Sequence, residues 1–281
     1  MSDPIFPPEL ESIIFATALA LKDTGESALN LILVAKRVLS WLVPELMRTL
    51  AVQTTVSDPV YYRRCNLHML KQYGAHTREL LLWKDSDDNE GIRPDQYVSL
   101  CPNITNLLLW TGIDNAQIDA IAHLPLMHLS VNLKELIRTN RTSLSSLFSK
   151  ITHLDLVNIM RQESEIVELK AFSSLTHLAV LESTPWGLLA MLFEHLSTLK
   201  VVVYLDSNCD ELGVADRFDI LDDDLRVVQM TCRADMAVEE WLLDVQQGLG
   251  LWGMADNAVL AQKELQKAHR NKMANGSRRR A

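Results

Sequence analysis

"ITHLDL" at residues 151–156 and "LTHLAV" at residues 175–180 are nearly one phrase, returning after 24 residues. Written L-x-x-L-x-L, with L any apolar residue, the pattern also fits the stretches starting at Met47 (MRTLAV), Ile104 (ITNLLL), Leu126 (LMHLSV), Leu199 (LKVVVY) and Leu225 (LRVVQM). Thr77 (TRELLL) fits with a polar first position. The spacings between the eight starts are 30, 27, 22, 25, 24, 24 and 26 residues. Positions four and six alternate with position five, which is the periodicity of a strand. The residues at four and six are therefore expected to share one face and fill a core.

Between the phrases lie stretches with helical spacing. Residues 115–124 carry Ile118, Ile121 and Ala122. Residues 185–196 open on Pro185 and continue with Leu188, Leu189, Leu192 and Leu196. Residues 163–172 and 236–247 read similarly. Strand alternating with helix predicts an α/β fold of parallel strands joined by right-handed crossovers. Two architectures fit: a leucine-rich-repeat solenoid, with parallel strands on the concave face and helices on the convex face, or a closed (β/α) barrel. The period of about 25 residues falls in the leucine-rich-repeat range. Barrel units exceed about 30 residues. Barrel strands are also apolar on both faces, whereas here positions three and five are often polar: His128, Ser130, His153, Asp155 and His177. One sheet face is expected to be wet, and the solenoid is the expected fold.

The charge is unevenly spread. The net charge is -9 over 281 residues. Residues 251–281 hold seven basic and two acidic residues, a local +5, and residues 1–250 hold 20 basic and 34 acidic, a local −14. An acidic body argues against nucleic acid as a partner, since phosphate contacts need Lys and Arg. The closing Arg278, Arg279 and Arg280 read as a solvated tail or a localisation signal. The four cysteines (Cys65, Cys101, Cys209, Cys232) form no C-x-x-C pair, so zinc and redox motifs are not expected. The apolar run at residues 13–21 is too short for a bilayer and lacks a basic lead-in. The expectation is a protein of a reducing compartment, cytoplasmic or nuclear, with no membrane partner. The sequons at Asn103, Asn140 and Asn275 are then chance matches.

Ahead of the repeats stands "FPPELESIIFATALAL" (6–21), in which Leu10, Ile13, Ile14, Thr17, Ala18 and Leu21 form one helical stripe and Pro7 and Pro8 sit at the start. A polar break at 22–27 precedes a second helix, "ALNLILVAKRVLSW", and Pro44 is expected to open a short third. So few residues bury little core unaided. The chain here resembles F-box motifs, which read approximately L-P-x-E-L-x-x-x-I followed by a second helix ending V-C-K-x-W. The matching residues are Phe6-Pro7-Pro8-Glu9-Leu10, Ile13-Ile14 and Val34-Ala35-Lys36-Arg37-Val38; Ala35 stands where Cys is usual and Val38 where Trp is usual. With the repeats that follow, the whole chain resembles the F-box-like leucine-rich-repeat proteins abundant in mushroom-forming fungi. The resemblance implies three parts: an F-box-like helical segment at 1–50, a solenoid at 47–250, and a C-terminal helix with a basic tail at 251–281. It also implies a role. The F-box docks on the Skp adaptor of a cullin–RING ubiquitin ligase, and the repeats recruit an unknown target protein. Pro7, Leu10, Ile13, Ile14, Val34 and Trp41 are the expected adaptor contacts; the alternative for these helices is a cap on the end of the solenoid.

Few residues suggest chemistry. His128, His153 and His177 share one repeat position and should form a ladder; with Ser130 and Asp155 they would lie on the concave, target-binding face. The plain reading is a favoured T-H-L phrase on a half-exposed strand rather than a metal site. "GLGLWG" matches G-x-G-x-x-G but follows a helical stretch, so its glycines are expected to end a helix and turn the chain. "DSDDNEG" at 85–91 fails as a calcium loop because the glycine is one place late. Trp83 and Trp110 end equivalent L-L-L runs and should lie side by side. No catalytic residue, cofactor or metal is expected. The alternatives are a leucine-rich-repeat scaffold without a ligase role, or a barrel enzyme with its site near Asp206 or Asn132.

Overall fold

The computed structural model describes residues 6–20, 36–53, 67–83, 94–110, 115–138, 141–158, 160–181, 184–206, 225–231 and 250–278. The fold is α/β. Eight strands occur among these residues: β1 (Thr49–Gln53), β2 (Glu79–Trp83), β3 (Asn106–Trp110), β4 (His128–Val131), β5 (His153–Leu156), β6 (His177–Leu181), β7 (Val201–Asp206) and β8 (Val227–Thr231). Each begins at the third position of one of the eight phrases. The first position precedes the strand and is buried in nearly every phrase, including Met47, Ile104, Leu126, Ile151, Leu175 and Leu199. Thr77, the one polar residue at this position, is equally buried.

Among the described residues ten α-helices accompany the strands: α1 (Pro8–Ala20), α2 (Lys36–Arg48), α3 (Leu67–Tyr73), α4 (Pro94–Leu100), α5 (Asn115–Ala122), α6 (Leu133–Arg138), α7 (Arg141–Phe148), α8 (Glu163–Leu169), α9 (Trp186–His195) and α10 (Leu251–Arg278). The chain forms two compact units, Met1–Leu126 and Met127–Ala281. In the first unit β1, β2 and β3 pair in parallel; in the second β4 through β8 do so, and within each unit strand order follows chain order.

Equivalent phrase positions are register partners: Thr49 with Glu79, Glu79 with Asn106, His128 with His153, and His153 with His177. Positions four and six thereby stack as Leu50, Leu80 and Leu107 beside Val52, Leu82 and Leu109, and as Leu129, Leu154 and Leu178 beside Val131, Leu156 and Val180, all buried. Helix residues of matching period are buried too: Ile118 and Ile121, Leu144 and Leu147, Ile166 and Leu169, Leu189 and Leu192. The threonine of the T-H-L phrase has a structural task. Thr152 Oγ1 donates to the Met127 carbonyl at 3.2 Å, and Thr176 Oγ1 donates to the Thr152 carbonyl at 3.1 Å. Each hydroxyl thus ties the start of its strand to the one before it.

Four expectations are corrected. Pro44 opens no third helix; it lies inside α2. An interior proline costs about 3 kcal/mol of helix stability, and here burial of Val38, Leu42, Val43 and Met47 on one side of α2 opposes that cost. The eighth phrase is out of step by one residue: Val202 pairs with Val227 and Val203 with Val228. A one-residue slip turns each side chain to the other face, so Val228 and Met230 join Ala179, Val203 and Leu205 instead of the Leu178 row. The face of positions three and five is wet only in part, at residues such as Asn106, His128, His153 and Asp155. Ala51, Leu81, Leu108, Ser130, Ala179 and Val203 are all buried. Finally, Gly250 and Gly253 of "GLGLWG" stand at the start of a helix: the Gly250 carbonyl accepts from the Met254 amide at 2.8 Å, and Gly253 lies within α10, while Gly248 lies outside the described residues. The expected helix at 236–247, the loop at 85–91, the polar break at 22–27, and Val34 with Ala35 lie outside the described residues.

Candidate functional site

In the first unit, α1 packs against α2, and the residues it turns inward are unexpected. Pro8 begins the helix, and the Pro7 carbonyl accepts from the amides of Leu10 and Glu11 at 3.0 and 3.1 Å. Glu11 is buried, and its carboxylate meets Arg37 Nη2 of α2 at 2.9 and 3.1 Å. The apolar stripe faces outward: Phe6 is 50% exposed, Leu10 49%, Ile13 61% and Ile14 51%. The Glu11 carboxylate is therefore turned inward, reached by a half-exposed Arg37, while four large apolar side chains meet water. Amphipathic helices normally do the reverse, and contiguous exposed apolar surface of this kind marks an interaction site. Pro7 is exposed as well, while Trp41 on α2 is half-buried.

In the second unit the histidine ladder forms as the register predicted. The His128 and His153 rings lie 4.0 Å apart, tilted by 40°, and those of His153 and His177 lie 4.1 Å apart, stacked within 10°. Burial holds His128 down to about 4, helped by repulsion from His177. Burial likewise holds His153 at about 3, with repulsion from both neighbours added. Ser130 and Asp155, register partners two residues further along, are hydrogen-bonded: Ser130 Oγ donates to Asp155 Oδ2 at 2.7 Å. Burial pushes the Asp155 carboxyl up to about 6, against that hydrogen bond, which favours the carboxylate. Burial thus suppresses charge on both kinds of group, bases and acid alike.

The surface these residues were expected to form is partly closed. The first turns of α10 lie over β7 and β8, with Ala255 and Val259 buried among Ala179, Val201, Val203, Leu205 and Val228. Trp252 meets the His153 ring edge-on at 5.2 Å and the His177 ring at 5.7 Å. Asp256 Oδ1 lies 3.1 Å from His177 Nε2. His177 and Ser130 are buried, whereas His128, His153 and Asp155 keep partial exposure. Sequence reasoning missed Trp252 and Asp256. Their signal was the helical spacing of Trp252, Ala255 and Val259, which marks a packed face without naming what it packs against.

The ladder is not built as a metal centre. His153 Nδ1 and His177 Nδ1 each lie 2.8 Å from the hydroxyl of the preceding threonine. Near-parallel rings also direct their lone pairs side by side rather than toward one point. Among the described residues no cluster of three or more His, Cys, Asp or Glu is arranged to hold a metal ion. No helix among them is long and apolar enough to cross a membrane. Trp83 and Trp110 are register partners at the ends of β2 and β3, side by side as expected. Asn132 accepts a hydrogen bond from the Lys134 amide at 3.1 Å at the start of α6, a capping arrangement, and Asp206 ends β7 opposite Thr231. Comparison with protein-family models and with curated proteins finds no match to the chain.

Proposed function

We propose that this chain is a non-catalytic, substrate-recruiting adaptor of a Skp–cullin–F-box ubiquitin ligase, working in the cytoplasm or nucleus. The observation that carries the reading is the outward apolar set of Phe6, just ahead of α1, with Leu10, Ile13 and Ile14 on α1. A helix serving only to cap the solenoid would turn that stripe inward. An adaptor-binding helix presents it, and burying such side chains in a partner groove supplies roughly 1.5–3 kcal/mol each. Exposed Pro7 and half-buried Trp41 are read as further contacts. The strands are read as leucine-rich repeats of about 25 residues, and the target surface is the still accessible part of the odd-position face, at His128, His153 and Asp155. The mechanism is proximity: a target held beside the ligase meets the ubiquitin donor at high effective concentration.

The test is co-expression with the Skp adaptor of the host, followed by size exclusion. Wild type should co-elute, and a Leu10→Asp, Ile14→Asp variant should not. Because both residues face water, the variant should stay folded. Retained folding with no adaptor binding by wild type would favour the free-standing scaffold. One observation favours the barrel instead: odd positions of the strands are buried on the second face too. The short unit weighs against it, and a scattering envelope separates an open arc from a round particle.

A further inference from the structure

We propose that the histidine stack is a one-proton latch: His177 carries the proton, and through Asp256 it fastens α10 onto β6. The inference is independent of the ligase reading. It comes from counting hydrogens at two nearly identical Thr-His pairs.

At the first pair, Thr152 Oγ1 reaches both the Met127 carbonyl and His153 Nδ1. A hydroxyl has one hydrogen. If it goes to the carbonyl, His153 must donate from Nδ1 to the hydroxyl oxygen, and a neutral ring does this with its single hydrogen. Both contacts are then satisfied. At the second pair, Thr176 Oγ1 reaches the Thr152 carbonyl and His177 Nδ1 in the same way. But His177 Nε2 also faces the Asp256 carboxylate. A neutral ring has one hydrogen for two acceptors. If Nδ1 holds it, a lone pair points at the carboxylate. If Nε2 holds it, the threonine must abandon the Thr152 carbonyl. Only the imidazolium satisfies all three contacts together.

The groups around His177 agree with this placement. From β5 it faces His153, with Asp155 further along that strand; from β7 it faces the apolar Val201; from α10 it faces Asp256 and the edge of Trp252. Among the described residues, the carboxylate hydrogen-bonded to the stack is Asp256, at His177. A proton there opposes a second on His128 or His153. Protonation at one ring therefore seats the helix, while the other two rings stay neutral.

Side-chain nitrogen spectra of the full chain, recorded from about pH 8 to about pH 5, read the state of each ring directly. The first imidazolium signature on acidification should belong to His177, with His153 remaining a neutral Nδ1–H ring. The protection factors of the α10 amides, each observed exchange rate referred to the intrinsic rate at the same pH, should rise by about three- to ten-fold as His177 gains its proton, the range for a partly exposed charged hydrogen bond. The Asp256→Asn variant should lose that pH dependence and lose the imidazolium from His177. The Asp256 side chain is 55% exposed, so the variant should fold, and circular dichroism verifies this. His177→Gln is the second variant and should show the same pH-independent protection. The proposal is overturned if His153 or His128 protonates first. It is equally overturned if the protection of α10 keeps its pH dependence in folded Asp256→Asn.

Discussion

Replacing His153 by glutamine should cost less stability in acid than at neutral pH. An exposed histidine titrates near 6.5, whereas His153 is held at about 3 in the folded chain and His128 at about 4. The unfolded chain therefore takes up protons first. The stabilisation from keeping these rings neutral is complete above the unfolded value and is lost as pH falls below about 6.5. At about pH 5 each ring has given up some 1.5 units, or about 2 kcal/mol, and partial solvent access reduces this to about 1–2 kcal/mol. Asp155 acts in the opposite sense. Its carboxyl is raised to about 6, so it favours the folded state as pH falls from there toward the unfolded value of 3.8. It returns about 1 kcal/mol by about pH 5. Urea titrations at the two pH values measure the effect, and differences between variants cancel the other titrating groups. The cost of His153→Gln should shrink by about 1–2 kcal/mol from about pH 7 to about pH 5, and the cost of Asp155→Asn should grow by about 1 kcal/mol. Equal costs at both pH values would refute the account of a stack kept neutral by burial.

Two further substitutions test the core. Thr77 Oγ1 is buried without a hydrogen-bond partner among the described residues, so Thr77→Val should raise stability by about 1 kcal/mol in urea denaturation. Gly74 sits where a Cβ would strike the carbonyl oxygen of Leu100, which is backbone and cannot turn aside. Gly74→Ala should therefore lower stability by about 1–3 kcal/mol, read as a drop in Tm.

The strands were legible because each phrase alternates over few residues and starts from a buried anchor. Ile151-Thr-His-Leu fixes its own register, since a one-residue slip would bury His153 among leucines and move Leu154 to the other face. The eighth phrase broke the rule because "LRVVQM" is apolar at 227, 228 and 230, so alternation there does not choose between two registers. The cover over the odd positions was not legible: His177 reads as a polar strand residue, and nothing near it in the chain announces Asp256, 79 residues away. Nor did the stripe on α1 reveal its own direction. Leu10, Ile13 and Ile14 predicted a helix with one apolar side, while the choice to face water rests on the Glu11–Arg37 contact with a residue 26 positions on. Pro44 was read as a start because prolines favour first turns, and the burial of α2 on both sides of it prevailed.

The slip between β7 and β8 bears on how such a chain can lengthen. A duplicate of the 24-residue segment that begins at Ile151 would find matching partners on both sides if spliced in before Leu175, because His128, His153 and His177 already stand in step. A duplicate appended beyond β8 would meet a strand turned over by one residue, and its leucines would emerge on the α10 side. Growth by copying is thus open at the middle of the second unit and closed at its last strand.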